Sequence, residues 1–401
     1  MMQAARASAA ARLAEMGLPG RRDEYWRWTD PAAFAQQATP EAAAYRVDKP
    51  IFDGMDKLRL VFTDGVFDAA ASDDPALAGV EISHLSEAPE WAGVLYGRLE
   101  AAGQSPVRRP FAVRNTAEAQ AGLMIRVTAR AARPVHISYR QSSSTSEAML
   151  HHVVKLEAGA ELTLLETGTA GARANLVLEV DVGAGARFHH IRPQGRSLEH
   201  RVISAIFARV GAGAVFKSFT LSMNGRLTRN EAVIEIIGDG AVAHIAGAAL
   251  GDGADGAFHH DDTVFITHGA VGCESRQVFK KVLRHGATGV FQGKILVRPG
   301  AQKTDGYQIS QALMLDDECQ FLAKPELEIH ADDVKCSHGS TTGAIDETAL
   351  FYLRSRGVPR EEAVALLVLS FLADAIAEVD DAAIAAEILA RLEEWLAGHR
   401  G

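Results

Sequence analysis

Cysteine is scarce in this chain: Cys273, Cys319 and Cys336 are the only three among 401 residues. They are odd in number and far apart, which argues against a disulfide framework and fits a reducing compartment. A surplus of positive charge is also missing. Lys and Arg total 41 against 51 Asp and Glu, for a net charge of −10. No basic run offsets it, so nucleic acid is not expected as the main partner. Long apolar runs are absent too. The longest, Ala363 to Ala373, contains Ser370 and stops at Asp374, well short of the ~20 residues that cross a bilayer. These absences lead to the expectation of a cytoplasmic protein with no membrane and no nucleic acid among its partners.

What is present is apolar material and glycine. Hydrophobic residues make up 47% of the chain, enough for a sizeable core. Residues 1–105 read as a mixed, partly helical region. The Ala- and Arg-rich start has the look of a transit peptide, but Leu13, Met16 and Leu18 continue it into a Trp-rich segment, so an amphipathic helix over Ala4 to Met16 is expected. Gly17-Leu18-Pro19-Gly20 breaks it. Tyr25, Trp26 and Trp28, beside Arg21, Arg22 and Arg27, read as a small aromatic core. A strand at Leu58 to Phe62, a turn at Gly65 and a helix at Pro89 to Ala101 complete the region.

Over residues 106–340 the texture repeats. "LEAGAELTLLE", "VGAGARFHHIR", "VGAGAVFKSFT" and "IGDGAVAHIAG" place Gly159, Gly185, Gly213 and Gly240 at separations of 26, 28 and 27. A period near 27 is that of a solenoid, most simply a right-handed parallel β-helix with two or three strands per coil. Each coil cannot bury its own apolar face, so coils stack, and glycine supplies the left-handed corners. The fold class expected is therefore mainly β, with a mixed N-terminal and a helical C-terminal end domain. Open coil ends would aggregate, and those end domains are the expected caps. The last region, 341–401, reads as helical. Asp346 and Glu347 open a helix that Gly357 ends, and Pro359, Glu361 and Glu362 start the next. Val364, Leu367, Leu369, Phe371, Leu372 and Ile376, then Ile384, Ile388, Leu392, Trp395 and Leu396, recur at helical spacing.

Several motifs carry less than their letters promise. "GDGADG" (Gly251 to Gly256) fits a dinucleotide fingerprint, but a strand pattern follows it where a helix is required. "GVFQGK" (Gly289 to Lys294) has Thr288 in place of the first P-loop glycine and Ile295 in place of the magnesium-binding hydroxyl. ATP chemistry is therefore assigned to a partner. His259, His260, Asp261, Asp262 and His268 form the densest ligand-like cluster. With His151, His152, His189 and His190, it reads as polar exterior strand. Cys273 and Cys319 have no ligand-spaced neighbours.

At the junction of solenoid and helices lies "KPELEIHADDVKCSHGSTTGAIDETALFYLRSRGV". In an extended segment Cys336 and His338 share a face and form a thiolate–imidazole pair suited to iron, zinc or iron–sulfur chemistry, though two ligands do not close a site. This string, with "RRDEYWRWTD" (Arg21 to Asp30) and "GVFQGKILVRPGAQKTDGYQIS" (Gly289 to Ser310), resembles the SufB/SufD family of iron–sulfur cluster assembly scaffolds along most of the chain, and more closely its SufD branch. The N-terminal cysteine motif of the SufB branch is missing. The resemblance implies a non-catalytic scaffold that pairs with a SufB-like protein through its last β-helix coils. It further implies docking of a SufC-like ABC-type ATPase on the C-terminal helices, with Leu353, Arg354 and Arg356 near the contact. The cluster would be held transiently at the partner interface, with His338 and Cys336 as its ligands on this chain and no stably bound cofactor. A homodimer is expected when the partner is absent. The rival reading is a β-helix carbohydrate-active enzyme using Asp252, Asp255, Asp261 and Asp262; a third is a structural solenoid whose Cys336/His338 pair is inert.

Overall fold

A computed structural model describes residues 1–35, 41–43, 50–194, 199–223, 225–254 and 256–398. Asp255 lies outside the described residues. The strands begin with β1 Leu58–Thr63, β2 Val66–Phe67, β3 Val80–His84, β4 Leu123–Val127 and β5 Val135–Arg140. Next come β6 Glu147–Leu156, β7 Glu161–Gly168, β8 Arg173–Val182, β9 Arg187–Gln194, β10 Arg201–Val210, β11 Val215–Met223 and β12 Leu227–Ile236. The last are β13 Val242–Asp252, β14 His259–His268, β15 Glu274–Arg284, β16 Thr288–Val297, β17 Asp305–Met314, β18 Gln320–Ile329 and β19 Lys335–Gly343.

From β4 onward, odd strands pair in parallel with odd and even with even. The chain thus winds as a β-solenoid of two facing sheets, each coil contributing one long strand to each. The corners from even to odd strand carry the expected glycines. Gly159, Gly185, Gly213 and Gly240 have φ of 72, 65, 61 and 66°, which a Cβ would oppose. Alternate side chains fill the space between the sheets: Leu150, Val154, Leu176, Phe188, Phe216, Ile234 and Ile266 are members of one continuous core.

The N-terminal region closes its coil end as expected, through β2 and β3 pairing antiparallel with β1 and β4, while its helices and those of the C-terminal region cover the two broad faces. Helices α1 Met2–Met16, α2 Ala32–Ala35, α3 Glu90–Leu95, α4 Arg98–Ala102 and α5 Pro110–Glu118 belong to the N-terminal region. There Trp26, Phe34 and Phe111 pack on Ile203 and Leu227 of the even sheet, and Leu99 and Ala112 on Val177 and Phe207. The aromatic segment is core, with Tyr25 and Trp26 buried. The helix expected over Pro89 to Ala101 is two helices, because Gly97 at φ 70° breaks it. Helices α6 Glu347–Ser355, α7 Arg360–Ile376 and α8 Ala382–Gly398 follow the last coil. Val368, Leu372, Ile376, Ile384 and Ile388 pack against Leu221, Ala248 and Val282 of the odd sheet. Each such fully buried side chain contributes about 2 kcal/mol. Apolar outward positions in mid-solenoid strands are what call the helices there. Asp346 caps α6 as read from the sequence, accepting from the N–H groups of Thr348 and Ala349 at 2.9 and 3.1 Å. Among the described residues no helix is long and apolar enough to cross a membrane.

Candidate functional site

The two ends of the solenoid differ. At the N-terminal end, β2 and β3 pair antiparallel with β1 and β4 and finish the sheets. At the other end, β18 and β19 are the last strands of both sheets, and their side chains are half-buried or exposed along their length.

Cys336 and His338 lie on β19. The parallel register sets Cys336 beside Gly306 and His338 beside Gln308 of β17, which in turn adjoin Ser275 and Gln277 of β15. This row faces the space between the sheets, because Phe279 on the same row belongs to the core. The strand alternation expected from the i, i+2 spacing therefore holds, and both side chains look into the open mouth of the solenoid. Cys336 is half-buried against Ile295, Val297, Leu327 and Val334. A Cβ on Gly306 would stand 3.2 Å from its Sγ, so glycine is what lets the thiol lie flat against the neighbouring strand. Burial raises the thiol pKa above its ordinary value; the Gly306 N–H works against this and Asp305 with it. The sulfur is thus a thiol at neutral pH and becomes a ligand only when a metal displaces its proton. His338 is exposed at the rim. Among the described residues no three His, Cys, Asp or Glu side chains converge on a metal-sized site, so this pair by itself leaves any metal coordination unfinished.

Behind the mouth the lumen is polar. Gln308 donates to Gln277 at 2.6 Å, both fully buried. Gly293 makes room for it, since a Cβ there would stand 2.0 Å from the Gln308 amide nitrogen; the P-loop-like string is a strand, β16. Farther in, Lys281 reaches Asp262 at 2.6 Å and His260 Nδ1 at 2.7 Å. Burial, reinforced by Lys281, holds His260 well below the usual imidazole pKa. Deeper still, Glu166 contacts His190 at 2.7 Å and the Tyr139 hydroxyl. Its carboxyl is held well below the usual range because Arg192 and His190 outweigh its burial.

The histidine and aspartate pairs are therefore not exterior strand. His152, His190, His260, Asp262 and His268 point inward, and His151 and Asp261 point outward beneath the N-terminal cover; all are at most 2% exposed. His151 sits between Tyr96 and Glu179. Asp261 joins Arg229, which also bonds Glu231 at 2.8 Å and stacks 4.0 Å over Trp26. His189 is half-buried, close to Asp380. The sequence reading missed Lys281, Arg229 and Glu166, which pair with Asp262, Asp261 and His190, each 19 or more residues away in the chain. The aspartates of the carbohydrate reading do not converge. Asp261 and Asp262 lie on opposite faces of one strand, and Asp252 is held by Arg284 at 3.2 Å and His285 at 2.7 Å.

The other predicted contact lies on α6. Arg354 and Arg356 are exposed, and the Arg356 guanidinium lies 4.8 Å over the Tyr352 ring. Leu353 is half-buried. The apolar surface here comes from two neighbours that sequence reading passed over, Phe351 and Tyr352, 70% and 59% exposed. The remaining cysteines are buried; burial and Asp316 push the Cys319 thiol up to about 11.

Comparison with known proteins agrees with this geometry. Residues 139–371, more than half of the chain, match the family described as "SUF system FeS cluster assembly, SufBD core domain". The chain is 29% identical to the iron–sulfur cluster assembly protein SufD of Escherichia coli, over 96% of this chain and 91% of that protein. It is 25% identical to a SufBD family protein of Synechocystis, over 93% and 86%. It is 26% identical to "Protein ABCI7, chloroplastic" of Arabidopsis thaliana, over 94% and 82%. The chain belongs to the SufBD family of SUF-system iron–sulfur cluster assembly proteins.

Proposed function

We propose that this chain is a non-catalytic scaffold subunit of an iron–sulfur cluster assembly complex. It pairs through β18 and β19 with a SufB-like β-solenoid and docks a SufC-like ATPase through its C-terminal helices. The observation that carries this reading is the unfinished end. Among the described residues two long terminal strands have no neighbour on one side, and the soft-ligand pair Cys336/His338 lines the mouth they frame. A strand laid on either edge would satisfy its free backbone groups and bring further ligands up to the two already present. The cluster is cargo in this scheme. His338 supplies an imidazole to the nascent cluster or its iron, and Cys336 supplies a sulfur once its proton is displaced. ATP hydrolysis belongs to the partner, which Phe351, Tyr352, Arg354 and Arg356 meet.

The test is reconstitution. Co-expressed with SufB-like and SufC-like proteins of its own source, the chain should co-elute with both at the mass of a ternary complex. His338→Ala should leave that complex intact and reduce cluster formation on it. Unchanged cluster formation would overturn the role of His338. Elution of this chain alone, or as a homodimer, while the other two associate would overturn the scaffold reading.

A further inference from the structure

The odd sheet has a second opening, far from β19. Strands β7 and β9 pair from Glu161–Arg187 to Leu165–Ile191 and then part, although β7 continues to Gly168 and β9 to Gln194. Pro193 has no N–H to continue the ladder. Where the strands separate there is a cavity of about 400 Å³, the size that receives a small organic ligand.

Its lining is basic and incompletely satisfied. Lys57, Arg59 and Arg140 line it, with Arg391, which pairs with Glu394 at 3.0 Å, and Asp53 is the acid among the described lining residues. The Lys57 ammonium rests on backbone carbonyl oxygens of Phe52, Asp53 and Met55, with no carboxylate partner among the described residues. Four buried polar atoms of lining residues have no partner among the described residues: Arg59 Nε, His136 Nδ1, Gln141 Oε1 and Gln194 Oε1. His136 is 4% exposed, with its other nitrogen 2.7 Å from Thr167 Oγ1. Buried polar groups are nearly always paired, so four left open around one cavity describe a ligand-shaped deficit. The local potential agrees. Burial first, then the charges of Lys57 and Arg59, push His136 down to about 4, so the ring is a neutral hydrogen-bonding group at pH 7. Ile51, Pro193 and Met223 add an apolar wall.

We propose that this opening binds a small organic oxyanion, a phosphate ester with an apolar or ring-bearing body, with Arg59, Lys57 and Arg140 receiving the anionic end. Guanidinium groups match phosphate geometry in a way that single ammonium charges do not. The site lies at the far end of the sheet from β19, so it stands apart from the pairing proposed above.

Titration calorimetry on the full chain at low salt, with adenosine monophosphate, glucose 6-phosphate, adenosine and inorganic phosphate as probes, tests this. At least one ester should bind, about tenfold or more tighter than adenosine or inorganic phosphate, and weaken steeply with salt. Arg59→Gln should weaken the bound ester about tenfold, as should Arg140→Gln, which alters an exposed side chain; unchanged melting temperatures would show that both variants fold. No binding by either ester, affinity untouched in both variants, or inorganic phosphate binding as tightly as the esters would each overturn the proposal.

Discussion

The solenoid begins and ends on opposite principles. In the first coil Leu58, Leu60, Phe62, Leu123, Ile125 and Val127 fill the space between the sheets with hydrocarbon, and antiparallel β2 and β3 close the edges. In the last coils inward positions carry Gln277, Lys281, Gln308, Cys336 and His338, and nothing among the described residues lies beyond β18 and β19. One end is built to stop; the other is built to be continued. On the pairing proposed above, association draws on the open edge while folding draws on the packing of both ends, and mutations should separate them.

The sharpest break is at Lys281. Replacing it with methionine leaves Asp262 buried without its cation, and the loss should be about 3–5 kcal/mol by chemical denaturation at pH 7. Lys281→Met with Asp262→Leu should recover most of it. At the hydrocarbon end Leu60→Ala should cost about 3 kcal/mol, with no such rescue available.

Acid should act on both halves alike, and more gently. Burial pushes both His152, in the closing half, and His268, in the opening half, down to about 4. A histidine whose folded pKa lies below its unfolded value of about 6.5 takes up a proton on unfolding, so its contribution is intact above pH 6.5 and lost as pH falls toward 4. Each ring should cost about 2 kcal/mol by pH 5. His268→Gln should flatten the curve by one ring's share, measured as the slope of unfolding free energy against pH.

At the open edge the expected effect shifts from folding to association. Ser340 lies on β19 with its backbone N–H directed away from β17, since the Lys335 N–H, five residues earlier, bonds Thr304 of the neighbouring coil. Ser340→Pro should weaken pairing with a SufB-like partner at least tenfold, about 1.4 kcal/mol, in a sedimentation or calorimetric assay, with little change in melting temperature. The smallest effect belongs to Asp346→Ala, which removes the α6 cap at about 1 kcal/mol. It should loosen ATPase docking through Phe351 and Tyr352 while leaving the β-edge association unchanged.

Much of this architecture could be read from the chain because it repeats. Gly159, Gly185, Gly213 and Gly240 mark corners by a conformation few other residues tolerate, and the spacing of Ile384, Ile388 and Leu392 is a helix in any context. The shared face of Cys336 and His338 follows from strand geometry alone. What stayed hidden depends on which surface meets which. The strand "HHDDTVFITH" looks solvated because its polar residues alternate. Whether Asp261 faces water or Trp26 and Arg229, and whether Asp262 has Lys281 across the lumen, are facts of distant pairing. The same blindness placed the C-terminal helices over a coil end. Their apolar faces say that something is covered, while the choice of broad face over open end rests on outward apolar residues such as Leu221, Ala248 and Val282. The parting of β7 and β9 is written in Pro193, but only once the neighbouring strand is known.

The open end has a consequence for how the protein is produced. A strand edge that welcomes a partner cannot by its hydrogen bonds alone refuse a second copy of itself or an unfolded neighbour. On the pairing proposed above, every chain made in excess of its partner carries an unguarded template for misassembly. That pairing would make synthesis in matched amounts, and quickly met, a demand of this fold, and dosage imbalance should appear as precipitation of this subunit before any shortage of clusters is felt.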